Sequence, residues 1–254
     1  MTLTEKEEKV LNSIKIPSEN DPTKPEFPPN NPKWPSTPTI QIKVEGFSSV
    51  WLKDESVNPT GTHKDRMAWE MIVTYKNLLE SKKHELISSL PQMSIISSGS
   101  AAFAIQSALK KYNLPNLKVL MDYRTKKETK AGLHKIGCEI YDVDLTKKEF
   151  TSKDILELTN NSEGIDITSD DSLGPFDTFY DWMSYDIINQ DADYILTPYG
   201  IGHLYENIIT VVSREVRRSP FQDKRLQIEI KRVKQMHFIG ATTNNPITIA
   251  DKLY

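Results

Sequence analysis

Apolar runs and amphipathic stretches alternate through most of this 254-residue chain. Compact apolar runs predict buried strands at 93–96, 117–121, 138–143, 194–197 and 236–240. Apolar positions at helical spacing predict helices at about 67–79, 101–109, 126–136, 178–189 and 204–216. Two further strands are predicted at 39–45 and 49–54, and a helix with a loop within 145–165. Strands that alternate with helices at this spacing form βαβ units, so the predicted fold class is α/β with mostly parallel sheets.

The amino-terminal region departs from this pattern. Residues 1–16 have the spacing of a short amphipathic helix, and residues 17–38 contain eight prolines, which exclude a regular helix or a central strand. We expect an extended arm that wraps the body of the protein or serves as a linker, and Phe27 and Trp34 within it favour packing. The predicted domains are an arm with the first strand, packed on the large domain (1–45), a small α/β domain (46–147) and a large α/β domain (148–254).

The segment 58–66, NPTGTHKDR, has the features of a site that presents a lysine. Asn-Pro and Thr-Gly favour a tight bend, and Thr62 followed by Asp65 predicts a capping box. Lys64 then falls in the first turn of a helix, where the helix dipole and the neighbouring Arg66 disfavour the charged ammonium form. A lysine that acts as a nucleophile needs this help near neutral pH. The alternative is an ordinary solvated lysine at a helix start.

Two other strand–loop–helix junctions have the composition of anion-binding sites. Hydroxyl groups and a glycine precede an apolar helix in the serine loop, residues 97–101, and could surround a carboxylate; the alternative is a serine-capped helix. In the glycine loop, residues 200–203, two glycines allow the backbone to approach a phosphate closely. The alternatives there are a tight turn between strand and helix, with His203 as a surface residue.

The three junctions together are more specific than each alone. A reactive lysine, a carboxylate site and a phosphate site on one α/β scaffold suit pyridoxal phosphate, whose aldehyde condenses with a lysine amine and whose phosphate needs donors. The carboxylate site would then hold an amino-acid substrate.

These motifs resemble those of the fold type II, or tryptophan-synthase-β-like, pyridoxal-phosphate enzymes, which include threonine synthase and cysteine synthase. The resemblance extends over residues 36–241. Residues 53–55 with 58–66 are similar to the family's K-x-E and NPTGSFKDR segments, in the threonine-synthase style. Residues 97–102, SSGSAA, are similar to SSGNAA, and residues 197–202, TPYGIG, are similar to PVGGGG.

The resemblance implies a role for each motif. Lys64 would be the Schiff-base lysine. The substrate carboxylate would be bound by the serine loop: Ser97, Ser98, Gly99, Ser100 and Ala101. The cofactor would be bound by Lys64, Ser100 and the glycine loop: Gly200, Ile201, Gly202 and His203. The fold would consist of two parallel-sheet domains of this type, with the cofactor in the cleft between them.

The chain departs from the family pattern at three places. Ser100 stands where the family has the asparagine that touches the ring hydroxyl of the cofactor, and Ile201 and His203 replace small residues. The chain also ends at Tyr254, soon after the strand at 236–240, so we expect a large domain that is shortened at its carboxyl end.

The expected activity is pyridoxal-phosphate-dependent elimination or replacement on a small amino acid, as a lyase or synthase. Lys64 would be the Schiff-base residue and the general acid and base at Cα. The alternative is a truncated, non-catalytic relative that binds a ligand or a partner. Since an incomplete sheet exposes apolar surface, we expect a homo-oligomer, a dimer.

Composition and charge narrow the remaining classes. A formal net charge of −3 gives no reason to expect nucleic-acid binding. A single cysteine, Cys138, excludes an internal disulfide and a thiolate metal site, and the histidines show no metal-ligand spacing. Neither an apolar run of about 18 residues nor a secretory signal is present, so no membrane contact and a cytoplasmic location are expected.

Overall fold

The computed structural model describes residues 2–15, 34–147, 149–168, 180–200, 202–217 and 231–242. Its helices are α1 (Glu5–Ser13), α2 (Lys64–Lys83), α3 (Ser100–Lys111), α4 (Lys127–Ile136), α5 (Ser152–Leu158), α6 (Asp181–Ile188) and α7 (His203–Arg217). Its strands are β1 (Thr39–Ile42), β2 (Val50–Lys53), β3 (Met93–Ile96), β4 (Lys118–Asp122), β5 (Glu139–Val143), β6 (Ile165–Asp166), β7 (Tyr194–Pro198) and β8 (His237–Ala241). Phe27, for which packing was predicted, lies outside the described residues.

The largest sheet is parallel and has the strand order β5-β4-β3-β6. Every residue of β3 and β4 is buried, because helices and loops cover both faces. The apolar faces of α2 and α3 pack together and join the side chains of β3 and β4 in one core that also includes residues of α1, α6 and α7. The predicted α/β class with parallel pairing is confirmed, since apolar runs this short and this completely buried suit central parallel strands.

The stretch between β5 and α6 differs from the prediction of one helix and a loop. Helix α5 spans seven residues and begins with a capping box in which Thr151 and Asp154 bond to each other's backbone. The two-residue strand β6 then joins the edge of the large sheet. A strand of two residues is too short to show an alternating pattern, which is why the sequence did not predict it. The division into 46–147 and 148–254 stays a prediction, and β6, which follows residue 147, belongs to this sheet.

Two small sheets complete the described fold. Strands β1 and β2 pair antiparallel, and β7 and β8 pair parallel, with Tyr194 opposite His237. Residues 231–235 are helical and lead into β8. None of the helices in the described ranges is long and apolar enough to cross a membrane.

The predicted amino-terminal helix is confirmed as α1. A capping box of Thr4 and Glu7 begins it, and Val10, Leu11 and Ile14 are buried in the main core. Trp34, at the end of the proline-rich arm, donates its indole N–H to Asn58 Oδ1 at 3.0 Å. The arm is thereby attached to the loop that precedes α2.

Gly132 lies inside α4 and Gly137 directly follows it, and the two positions differ in whether they can accept a side chain. Gly137 ends the helix with φ +113°, and a Cβ there would lie 3.1 Å from Asn116 Oδ1 and 3.2 Å from Gln106 Nε2. Gly132 lies inside the helix, and a Cβ there would have no atom within 4 Å.

We therefore expect Gly137→Ala to lower the free energy of unfolding by about 1–2 kcal/mol, because L-residues are strained at this φ. Gly132→Ala should raise it by about 0.5–1 kcal/mol, because alanine is the better helix former. Urea unfolding of both variants measures the two effects. Equal shifts of the same sign would contradict the assignment of Gly137 as the helix stop.

Candidate functional site

The three predicted junctions meet at one cleft. Its cavity of about 220 Å³ is enclosed by the loop before α2, the loop between β3 and α3, and the loop between β7 and α7. Of the predicted site residues, it is lined by Lys64, Ser97, Ser98, Ser100, Ala101, Gly200, Gly202 and His203. Gly99 is not among the lining residues, and Ile201 lies outside the described residues. Apolar side chains of Met67, Ile95, Ile167 and Leu204 form much of the wall.

Asn58 stabilises the conformation of the segment 58–66, which we call the lysine loop. Its side-chain amide donates to Glu55 Oε2 at 2.8 Å and to the Thr62 carbonyl at 3.1 Å, and its Oδ1 accepts from Trp34. Gly61 has φ +77°, which allows the bend that follows. The loop is therefore bonded to itself, to the turn at Glu55 and to the arm before Lys64 is reached.

The predicted capping box of Thr62 and Asp65 is wrong. The residue before α2 is His63, which makes no side-chain cap; Thr62 Oγ1 accepts the Lys64 N–H at 3.1 Å, and the Asp65 N–H donates to the Thr62 carbonyl at 3.3 Å. Asp65 instead accepts from the backbone and hydroxyl of Thr60, at 2.9 and 2.8 Å. Its carboxylate is buried, and the tight turn provides two donors close to it, so it closes the turn rather than the helix end.

Lys64 opens to the cleft on one side and is otherwise surrounded by protein. This burial lowers the pKa of its ammonium group to about 8. The predicted contribution of Arg66 to this shift is wrong. Arg66 forms a bidentate pair with Glu55, at 2.8 Å from Nε to Oε2 and 2.9 Å from Nη2 to Oε1, so the negative charge of Glu55 offsets its charge, and burial is the cause of the lysine shift. Burial away from water is what brings the pKa of the lysine closer to neutral pH.

No sequence pattern pointed to Tyr180, which lies 116 positions from Lys64. It is 1% exposed, and its hydroxyl lies 3.4 Å from Lys64 Nζ. Its ring packs against His63 with 5.6 Å between the ring centroids. Thr168 was missed as well: it lines the cleft, and its Oγ1 accepts the N–H of Ile96 at the end of β3. Both contacts depend on tertiary packing alone.

The serine loop divides its hydroxyl groups between two roles. Ser97 Oγ accepts the N–H of Gly99 at 3.1 Å and the N–H of Ala102 at 3.3 Å, so it shapes the loop. Gly99 has φ +139°, and a Cβ there would lie 3.0 Å from Thr129 Cγ2. Ser98, which precedes α3, and Ser100, which begins it, are exposed and line the cleft. A helix start with two hydroxyl side chains beside it suits an anion, with the N–H groups of Gly99 and Ala102 already bonded to Ser97.

The glycine loop provides a second such junction. Gly202 has φ +97°, and a Cβ there would lie 3.0 Å from Glu206 Oε1 and 3.1 Å from the Tyr199 hydroxyl. A Cβ on Gly200 would have no atom within 4 Å, which leaves the approach to the backbone open. His203 begins α7 and lines the cleft. It is therefore partly buried rather than a surface residue.

The titratable groups around Lys64 change their charge in different pH ranges. Burial lowers the pKa of His63 and of His203 to about 4, and the positive charge of Lys64 adds to both shifts. Burial raises the pKa of Tyr180 above its usual range, while hydrogen bonds from Arg66 and Thr37 outweigh burial and lower the pKa of Glu55. Among these groups, Lys64 is the one that changes charge between about pH 5 and pH 11.

These residues fit pyridoxal phosphate. A lysine whose pKa lies near neutral pH suits the aldehyde of the cofactor. The glycine loop at the start of α7 suits its phosphate, and the apolar wall suits its ring. The open approach at Gly200 shows the clearance that a phosphate needs.

Comparison with known proteins supports this assignment. Residues 34–218 match the family described as pyridoxal-phosphate dependent enzyme. The chain is 32% identical to cysteine synthase B of Escherichia coli (strain K12) over 135 residues, which cover 51% of this chain and 42% of that protein.

Solved structures show the same fold. An O-acetylserine dependent cystathionine beta-synthase from Helicobacter pylori has a TM-score of 0.56 at 13% identity, covering 100% of this chain and 71% of that one. An O-ureido-L-serine synthase has a TM-score of 0.55 at 16% identity, covering 70% of this chain and 57% of that one. At these identities the likeness concerns the fold, and the chain matches less than half the length of cysteine synthase B. The family match covers most of the chain, and the chain belongs to the pyridoxal-phosphate dependent enzyme family.

Proposed function

We propose that this protein catalyses pyridoxal-phosphate-dependent elimination or replacement on a small amino acid. The observation that carries the proposal is Lys64, a lysine of lowered pKa in a cleft that two strand–loop–helix junctions also line. Lys64 would hold the cofactor, the glycine loop (Gly200, Gly202 and His203, with Ile201 predicted to join them) would bind its phosphate, and the serine loop would bind the substrate carboxylate.

The division of labour follows from the chemistry of each group. When bound, the cofactor stabilises negative charge at Cα of an amino acid. Lys64, neutral in an appreciable fraction of molecules near neutral pH, would take the proton from Cα and return it. Ser98 and Ser100 would orient the substrate carboxylate, while Ser97 and Gly99 keep the loop in shape. Ser100 would take the position next to the ring of the cofactor.

The relatives favour one branch of this chemistry. The segment 58–66 resembles the threonine-synthase pattern, whereas cysteine synthase B of Escherichia coli is a relative that matches about half of the chain. We propose replacement at Cβ of a serine-derived amino acid over threonine synthesis. Comparing the turnover of O-acetylserine with that of O-phosphohomoserine distinguishes the two.

The attachment of the cofactor tests the central proposal. Wild-type protein incubated with pyridoxal phosphate and reduced with borohydride should carry the cofactor mass on the peptide that contains Lys64, because the reduction fixes the bond to the amine. Lys64→Ala should abolish this label. Lys83→Ala, an exposed lysine at the other end of α2, is the matched control and should retain it. Labelling that persists unchanged in Lys64→Ala would refute the proposal.

The pH dependence of attachment follows from the pKa of Lys64. Only the neutral amine attacks an aldehyde, so the initial rate should rise with pH and level off above about pH 8. At pH 7 the neutral fraction should be about 300-fold larger than for a lysine of ordinary pKa 10.5. Mass spectrometry of protein quenched with borohydride at a series of pH values measures this curve. A rate that keeps rising beyond pH 10 would show that burial does not tune Lys64.

We also propose a cytoplasmic homodimer. The hairpin of β1 and β2 exposes large apolar side chains at Ile40, Val44, Phe47, Trp51 and Leu52, and exposed apolar side chains grouped on one element favour a contact site. Light scattering at micromolar concentration should give twice the mass of one chain. A single-chain mass across the accessible concentration range would contradict the dimer.

A further inference from the structure

Lys64 makes a specific contact that the proposed roles do not explain. Within the described residues, the hydrogen bond of its Nζ goes to the Tyr180 hydroxyl at 3.4 Å. The ammonium also lies 5.8 Å from the centroid of the same ring. One side chain therefore contacts the lysine through both its oxygen and its π-system.

Tyr180 is held firmly in this position. It immediately precedes α6, and its carbonyl accepts the Ser184 N–H at 2.8 Å. The next residue, Asp181, is bonded to Asn207 at 2.7 Å and to Arg214 at 2.9 Å, which fixes the start of α6 on α7. With an exposed fraction of 1%, the ring has little freedom to move. The hydroxyl is a fixed point beside a flexible lysine side chain.

We propose that Tyr180 is a positioning residue whose hydroxyl holds the Lys64 amine at the cleft whenever that amine is not bonded to the cofactor. This inference rests on the proposed function, because an amine that leaves the cofactor and then acts as a base needs a defined position while it is free. A lysine has four rotatable side-chain bonds, and a hydrogen bond to a rigid partner selects one arrangement from many.

A phenol can hold the amine in both of its charge states. Its oxygen accepts from the ammonium, and its O–H donates to the lone pair of the neutral amine. Burial keeps Tyr180 protonated by raising its pKa, so both bonds are available at every working pH. Hydrogen bonds to a charged group are the stronger ones, so the hydroxyl favours the ammonium form.

The other groups around the amine do not share this role. His63 and His203 are neutral above about pH 5, because burial lowers the pKa of each to about 4. The charge of Arg66 is paired with Glu55. In the range from pH 6 to about pH 10, removal of the Tyr180 hydroxyl should therefore be seen in the titration of Lys64 alone.

Tyr180→Phe tests the inference on protein without cofactor. Brief acylation with acetic anhydride at a series of pH values, followed by mass spectrometry of the Lys64 peptide, gives the midpoint of its titration. From a starting pKa of about 8, loss of the hydroxyl should lower that midpoint by about one pH unit, which raises the neutral fraction at pH 7 roughly fivefold. In the loaded enzyme, kcat should fall about tenfold with KM nearly unchanged, because the amine is less well placed as a base.

Tyr75→Phe is the matched control. Tyr75 is fully buried in α2, and its hydroxyl donates to the Pro91 carbonyl at 2.7 Å, so the variant loses a buried hydroxyl on the same helix without touching Lys64. Its Lys64 midpoint should equal that of the wild type. A midpoint unchanged in Tyr180→Phe, or moved equally in Tyr75→Phe, would overturn the inference.

Two measurements keep the outcomes distinct. Thermal unfolding shows whether Tyr180→Phe folds. If it does not, 3-fluorotyrosine at position 180 keeps the shape of the side chain and makes its O–H a stronger donor, which should also lower the Lys64 midpoint. An unchanged midpoint in that variant refutes the inference. Because the acylation uses protein without cofactor, a failure of Lys64 to bind pyridoxal phosphate would refute the proposed function and leave this result unaffected.

Discussion

The buried ion pair of Glu55 and Arg66 is the interaction on which the site depends. Arg66 lies two residues after Lys64 and is 3% exposed, and its two contacts to Glu55 tie the first turn of α2 to the turn that follows β2. Thr37 completes the cluster by bonding to both partners. Two buried charges contribute little net stability unless their donors and acceptors are hydrogen-bonded. Removal of either partner would leave the other charge buried without compensation. The cluster thereby holds the first turn of α2, which carries Lys64, against the turn that follows β2.

Burial governs the electrostatics of the cleft more than any specific charge does. The pKa values of Lys64, His63 and His203 all fall because the surrounding protein replaces water, and the pKa of Tyr180 rises for the same reason. The charge of Arg66, two residues after the lysine, is paired with Glu55 and contributes less than burial does to the pKa values of His63 and Tyr180. A site of this kind depends on how tightly its loops close, and the Asn58 bonds and the Gly202 conformation belong to the chemistry as much as Lys64 does.

What the sequence predicts well is local or periodic. The buried runs of β3 and β4, the glycine stop at Gly137 and the three junctions each follow from a few neighbouring residues, and the structure places the described parts of these junctions around one cleft. The predictions that fail involve competition or distance. Asp65 had two possible sets of donors, and the tight turn won over the helix end. The position of Arg66 in the sequence predicts an uncompensated charge beside Lys64, whereas in the structure Glu55 is its partner. Tyr180 is brought to Lys64 only by the packing of α6 on α7, which no local pattern encodes.

The two neutral imidazoles have a consequence for isotope exchange. In the proposed reaction, a proton that Lys64 takes from Cα has no nearby histidine to pass to, because neither His63 nor His203 accepts a proton near neutral pH. Tyr180 is already protonated and cannot accept it either. The proton stays on the lysine, shielded from solvent on all sides but the cleft. A deuterium label taken from Cα would then share the lysine with two hydrogens, so only part of the atoms returned to the same face of that carbon would carry it.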